Sequence, residues 1–145
     1  MEIREIEEKD LAGLLELYMQ LHNNSMPVMT KDLAQLWHQI LSDPNHHIII
    51  GVKDGNIISS CVLIIIPNLT HQQQPYALIE NVITDEKYRG KGYATKLLNY
   101  AKEMAVQNNC YKIMLMTGSK KDSTLNFYEK AGYNRTDKTA FIHWL

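Results

Sequence analysis

Residues 88–95 read Tyr88-Arg89-Gly90-Lys91-Gly92-Tyr93-Ala94-Thr95, between an apolar β-like run and an amphipathic run of helical period. A strand that passes through a glycine turn into a helix leaves several backbone N–H groups unpaired, where the helix dipole adds partial positive charge. Glycine removes the Cβ that would keep a ligand at a distance. The physical reading is a cradle for phosphate or pyrophosphate, set against the plainer one that the glycines only make a turn. Two familiar cradles fail on spacing. A P-loop would need glycine where Asp85 stands, and a dinucleotide fingerprint would need it where Thr95 stands.

Outward from the turn, Tyr76 to Thr84 reads as the strand that enters it. Ala94, Leu97, Leu98, Ala101 and Ala105 share one face of the helix that leaves it. Upstream, Glu2 to Ile6 is a short strand, and Asp10 opens a helix carrying Leu11, Leu14, Leu15, Tyr18 and His22. The stretch Asn23 to Pro27 breaks that helix. Thr30 caps a second one with Leu33, Leu36, Trp37, Ile40 and Leu41, ending near Pro44. His47 to Val52 and Ile57 to Ile66 are strands joined by Lys53-Asp54-Gly55-Asn56, a tight-turn signal. Pro67 to Pro75 is a polar loop. Downstream, Tyr111 to Met116 alternates as a strand and Ser123 starts a last helix with Leu125, Tyr128 and Ala131. Gly132 is its left-handed stop, and Thr139 to Leu145 reads as a closing strand. The result is one domain, 1–145, with a mixed α/β (α+β) sheet whose first half is antiparallel.

Composition sets the outer limits. A chain of 145 residues with 45% hydrophobic and 21% charged content is that of an ordinary globular domain. A formal net charge of -1 supplies no field for nucleic acid or acidic membranes, so neither is expected as a partner. The charged N-terminus does not read as a signal peptide, and the apolar run Ile57 to Ile66 is about half the ~20 residues of a membrane span. The only cysteines, Cys61 and Cys110, lack C-x-x-C spacing, which suits a reducing, cytoplasmic setting. His46 and His47 face opposite sides of a strand, which argues against a shared metal, and none is expected.

Arg89-Gly90-Lys91-Gly92-Tyr93-Ala94 matches R/Q-x-x-G-x-G/A and resembles the acetyl-CoA pyrophosphate motif of the GNAT superfamily of N-acetyltransferases. The resemblance extends over Ile79-Glu80-Asn81-Val82-Ile83-Thr84 before it and resumes at Leu125-Asn126-Phe127-Tyr128-Glu129-Lys130-Ala131-Gly132-Tyr133. It implies the GNAT fold, with about six to seven strands flanked by four helices, and acetyl-CoA as co-substrate. It also implies roles for named residues. The amides from Arg89 through Gly90, Lys91, Gly92, Tyr93 and Ala94 to Thr95 would hold the pyrophosphate. Val82, Ile83 and Thr84 would offer backbone groups to the pantetheine arm, with the Val82 N–H as oxyanion donor. Tyr128 takes the position of the general acid that protonates the leaving sulfur, and Asn126 that of a CoA contact.

Glu80 is a candidate general base, with substrate binding or a structural hydrogen bond as the open alternative. Neither cysteine has an activating base in pattern, which favours direct attack by the amine in a ternary complex. The expected activity is N-acetylation of a small primary amine. The segment around the motif is similar to that of amino-sugar-phosphate acetyltransferases, while the superfamily also modifies aminoglycosides, polyamines, amino acids and protein N-termini. A non-catalytic acyl-CoA-binding regulatory module and a protein or peptide N-acetyltransferase stand as alternatives, and a homodimer is left open. Residues 22–29, the loop 67–75 and the tail 141–144 are expected to line the acceptor pocket.

Overall fold

A computed structural model describes residues 1–22 and 25–145, so the predicted helix break over 23–27 lies partly outside the described residues. The elements run β1 (Glu2–Glu5), α1 (Leu11–Tyr18), α2 (Lys31–Ser42), β2 (His46–Lys53), β3 (Asn56–Ile66), β4 (Tyr76–Thr84), α3 (Tyr93–Gln107), β5 (Ile113–Leu115) and α4 (Asp122–Lys130). Among the described residues the sheet has five strands in the order β1-β2-β3-β4-β5. Its first pairings are antiparallel and its last, β4 with β5, is parallel, with α3 as the crossover. The strand count is thus below the six to seven implied by resemblance, because 139–145 forms no strand.

Alternation along the strands divides the core. Ile49, Cys61, Leu63, Ile65 and Ile79 point to the face covered by α3, where Leu97, Leu98, Ala101 and Ala105 are buried as the helical spacing predicts. Ile48, Ile50 and Val62 point to the other face, against Leu14 of α1 and Trp37 of α2. The hairpin between β2 and β3 turns on Asp54 and Gly55, whose φ of 51° and 79° are those of the turn its sequence announces.

Several boundaries differ from expectation. α1 stops at Tyr18 instead of running to His22, whose φ of 61° is left-handed. Asp10 does not cap α1. Its carboxylate instead takes both guanidinium arms of Arg4, at 2.6 and 3.0 Å, and accepts from the Glu7 amide at 2.8 Å. The Arg4 contact holds the Asp10 carboxyl below its ordinary range. Thr30 does cap α2, its Oγ1 accepting from Leu33 N at 3.1 Å. Leu36, expected inward, is 52% exposed.

Candidate active site

Two irregularities in β4 shape the site. Against β3, Ile83 pairs with Ser60 and Glu80 with Val62, so Asn81 and Val82 together face Cys61: a β-bulge, with Asn81 at φ 50°. Against β5, pairing runs only through Ala77–Ile113, Leu78–Met114 and Ile79–Leu115. Beyond Ile79 the two parallel strands part. The bulge bends β4 away as the pairing ends, and a cleft of about 710 Å³ opens between its last residues and α4. This is within the usual range for small-molecule sites.

Val82, Ile83 and Thr84 form one wall of the cleft. Arg89, Gly90, Gly92, Tyr93, Ala94 and Thr95 form its floor, and Tyr128 stands across it. Gly90 and Gly92 hold φ of 73° and 76°, the left-handed region that L residues other than glycine enter at a cost. A Cβ at either would meet nothing within 4 Å, so the backbone there faces open space. α3 makes its first backbone bond from Lys96 N to Gly92 O at 3.1 Å, so the amides of Tyr93 to Thr95 precede the helical ladder. An open, left-handed glycine turn at the start of a fifteen-residue helix fits a pyrophosphate.

Three expected site residues lie outside that lining. Lys91 is turned back, with Nζ donating to Lys87 O at 3.1 Å and lying 5.3 Å from the Tyr88 ring centroid. Asn126 is exposed on α4. Glu80 is half-buried at the start of the bulge, close enough for its charge to act on Tyr128. Arg89 lies in the floor, but its side chain donates Nε–H to Thr84 O at 3.1 Å and ties the end of β4 to the turn.

Tyr128 packs edge-on to Phe127 and Tyr133, with ring centroids 4.9 and 6.3 Å away. Burial, then the nearby Cys61 and Glu80, push its phenol above the ordinary value, so it keeps its proton at neutral pH. Burial also pushes the Cys61 thiol up to about 12 and raises that of Cys110, the opposite of nucleophile activation.

Sequence reasoning missed the groups that hold the wall. Ser59, fully buried on β3, donates to Ile83 O at 2.9 Å and shares a 2.8 Å hydrogen bond with Thr84 Oγ1. Gln20, just past α1, donates to Asp85 Oδ2 and accepts from Glu86 N, both at 3.0 Å, clipping the turn before the cradle. Ser123, Thr124 and Phe127 join Tyr128 along the cleft face of α4. Only these last had a signal, the i, i+4 spacing with Tyr128 or its neighbour.

Among the described residues, none of the segments expected to line an acceptor pocket lines this cleft, and 23–24 lie outside the described residues. The loop 67–75 sits at the far end of β4, where Gln74 Nε2 donates to Asn109 O at 3.3 Å and His71 stacks on Tyr111 at 4.0 Å. That end is most of a strand length, about 25 Å, from the cradle.

A family model, Acetyltransferase (GNAT) family, matches residues 10–133. The chain belongs to the GNAT acetyltransferase family. It is 31% identical to a glucosamine 6-phosphate N-acetyltransferase of Trypanosoma brucei brucei, over 95% of this chain and 92% of that one. Among solved structures it superposes on a chain from Agrobacterium tumefaciens strain C58, described provisionally as an acetyltransferase. That match has a TM-score of 0.91 and 35% identity, covering 99% of this chain and 100% of the other. A Bacillus halodurans C-125 structure named as a transcriptional regulator follows, at TM-score 0.87 and 25% identity, with 99% of each chain covered. This GNAT acetyltransferase is therefore an acyltransferase by family. Among the described residues no helix is long and apolar enough to cross a membrane, and no group of three or more His, Cys, Asp or Glu is placed to hold a metal ion.

Proposed function

We propose that the chain, working as one 1–145 domain, moves the acetyl group of acetyl-CoA to the primary amine of a small molecule. The first acceptor to test is glucosamine 6-phosphate, on which the trypanosomal relative is named to act. The observation that carries this reading is the splay of β4 from β5, which opens a cleft from the left-handed glycine turn to Tyr128.

In this reading the amides from Arg89 to Thr95 hold the pyrophosphate, and the pantetheine arm lies along Val82, Ile83 and Thr84. The amine nitrogen attacks the thioester carbon while the Val82 N–H donates to the oxygen as it gains negative charge. The C–S bond then breaks, and the sulfur takes the Tyr128 proton or a hydrogen bond from it. The nitrogen loses its proton to Glu80, directly or through water, and Tyr128 is restored from solvent. Even an ordinary phenol near 10 facing a thiol near 8.5 makes full transfer uphill by about 2 kcal/mol, and the raised Tyr128 pKa adds to this, so hydrogen bonding carries much of the effect. The raised thiol pKa of Cys61 and Cys110 supports direct attack over an acetyl-cysteine route.

The match to a structure named as a transcriptional regulator favours one second reading, a module that binds acyl-CoA without turnover. Free thiol released from acetyl-CoA on adding glucosamine 6-phosphate separates the two. Release supports the enzyme, and tight binding with no release for any amine in a panel supports the module.

A further inference from the structure

The turn that leads from β4 into the glycine cradle opens with two carboxylates, Asp85 and Glu86. A free carboxylate beside a site for pyrophosphate repels the ligand, and a loose turn scatters the amides that are to hold it. Asp85 is neither free nor loose. Its Oδ1 accepts from Lys87 N at 2.9 Å and its Oδ2 from Gln20 Nε2 at 3.0 Å, so each oxygen has a donor. Its amide donates to Ile58 O of β3 at 2.8 Å, and its carbonyl accepts from Tyr88 N at 2.8 Å, one residue before Arg89.

Gln20, 65 residues upstream, completes this corner with its other amide atom. Its Oε1 accepts from Glu86 N at 3.0 Å. A primary amide suits the place because it is uncharged and carries a donor and an acceptor side by side in one plane. The arm that presents it is fixed, since Gln20 N donates to Leu17 O at 3.1 Å and Leu17 is buried on α1. Neither Gln20 nor Asp85 lines the cleft. Both line a second cavity of about 540 Å³, and Tyr88 belongs to both cavities.

On the reading of the cleft as an acetyl-CoA site, we propose that Gln20 and Asp85 are a positioning pair for the donor. α1 sets the turn 85–88 and the turn sets the cradle, so acetyl-CoA affinity depends on a hydrogen-bonded pair outside the cleft.

The donor pattern lets the pair be broken and remade. Gln20→Glu sets a second carboxylate against that of Asp85. Asp85→Asn removes a charge but places an NH2 where Lys87 N and Gln20 Nε2 both need an acceptor, and turning the Gln20 amide over moves the clash to Glu86 N. Together the two changes restore every bond. The carboxylate now at position 20 accepts from Glu86 N and from the amide now at 85, whose oxygen accepts from Lys87 N. The double variant also keeps the wild-type net charge.

The test is the acetyl-CoA dissociation constant of the full chain by titration calorimetry, with the melting temperature beside it. Each single variant should bind about tenfold more weakly, and Gln20→Glu/Asp85→Asn should return to within about threefold of the wild type. Stoichiometry should stay at one per chain, which puts the loss in the sites and not in an unfolded fraction. In turnover, KM for acetyl-CoA should rise in the single variants while kcat stays within about twofold. Tighter binding by Asp85→Asn would mean that net charge alone acts there, and it overturns the proposal. Single variants that melt lower but bind as the wild type does, or a double variant no better than the singles, overturn it as well. All three outcomes leave wild-type binding intact. A wild-type chain that does not bind acetyl-CoA overturns the reading of the cleft, and the pair with it. Asp85→Asn and the double variant decide the matter if Gln20→Glu does not fold.

Discussion

The side of the molecule that carries the cleft, proposed above to take acetyl-CoA, and the side that carries its exposed apolar residues are built differently. On the cleft side, the wall and floor are pinned by short polar contacts: Ser59 to Ile83 and Thr84, Arg89 to Thr84, and Gln20 to Asp85 and Glu86. On the other side, Met26, Val28 and Met29 lie 40%, 80% and 59% exposed between α1 and α2, and the tail is bare. One chain pins the cleft proposed for acetyl-CoA with its own contacts and leaves these apolar side chains in solvent. In the proposed reading the donor site is built largely from backbone, whose demands on sequence are strict, whereas an acceptor site is built from side chains, and many sets of them serve.

The sharpest way to break this contrast is at Tyr128. Tyr128→Phe keeps the ring contacts with Phe127 and Tyr133 and deletes only the hydroxyl. We expect kcat and kcat/KM to fall together by ~10²–10⁴-fold, with an unchanged melting temperature. A loss confined to KM for acetyl-CoA would make Tyr128 a positioning residue of the donor side.

Gly92→Val should weaken acetyl-CoA binding about tenfold or more, roughly 1.4 kcal/mol by calorimetry. Part of any stability loss will be backbone strain at its φ of 76°, so Gly55→Val is the control. Gly55 has φ 79° and equally open surroundings, but lies in the β2–β3 hairpin. It should show the strain without the loss of affinity. Equal affinities in both variants would remove the cradle from the account.

Much of the frame of the cleft was legible in the sequence. The glycine turn, the strand before it and the helix face of Leu97, Leu98, Ala101 and Ala105 were readable because φ > 0 and periodicity each restrict residue type. Ser59 was not. A serine inside an apolar strand looks like any small core residue until β3 is laid beside β4. The tail was misread for a related reason. Its alternation is that of a strand, but a strand needs a neighbour, and pairing partners are not written in local sequence. Asp10 shows the same limit: its position suits a helix cap, yet Arg4, brought over from β1, takes its carboxylate.

Ser59→Ala sharpens the comparison. It leaves the Ile83 carbonyl short of a buried donor and should cost ~1–3 kcal/mol in chemical denaturation, with weaker acetyl-CoA binding. Asp10→Asn, outside the cleft, should cost about 1–2 kcal/mol at neutral pH and leave donor affinity alone. Because folding lowers the Asp10 pKa, its stabilisation is fully present above the unfolded value near 3.9 and is lost as pH falls through the folded value. Denaturation from pH 5 downward should therefore converge for the two proteins. The smallest effect is expected from Cys61→Ala combined with Cys110→Ala, which should keep most turnover despite some loss of stability at buried Cys61.

The most direct measurement is the initial rate of thiol release from acetyl-CoA with glucosamine 6-phosphate, comparing the wild-type chain with Tyr128→Phe. Release should require both substrates, yield the N-acetylated sugar phosphate in equal amount and drop at least ~10²-fold in the variant. Tight acetyl-CoA binding with no thiol released, for this or any other primary amine, would contradict it.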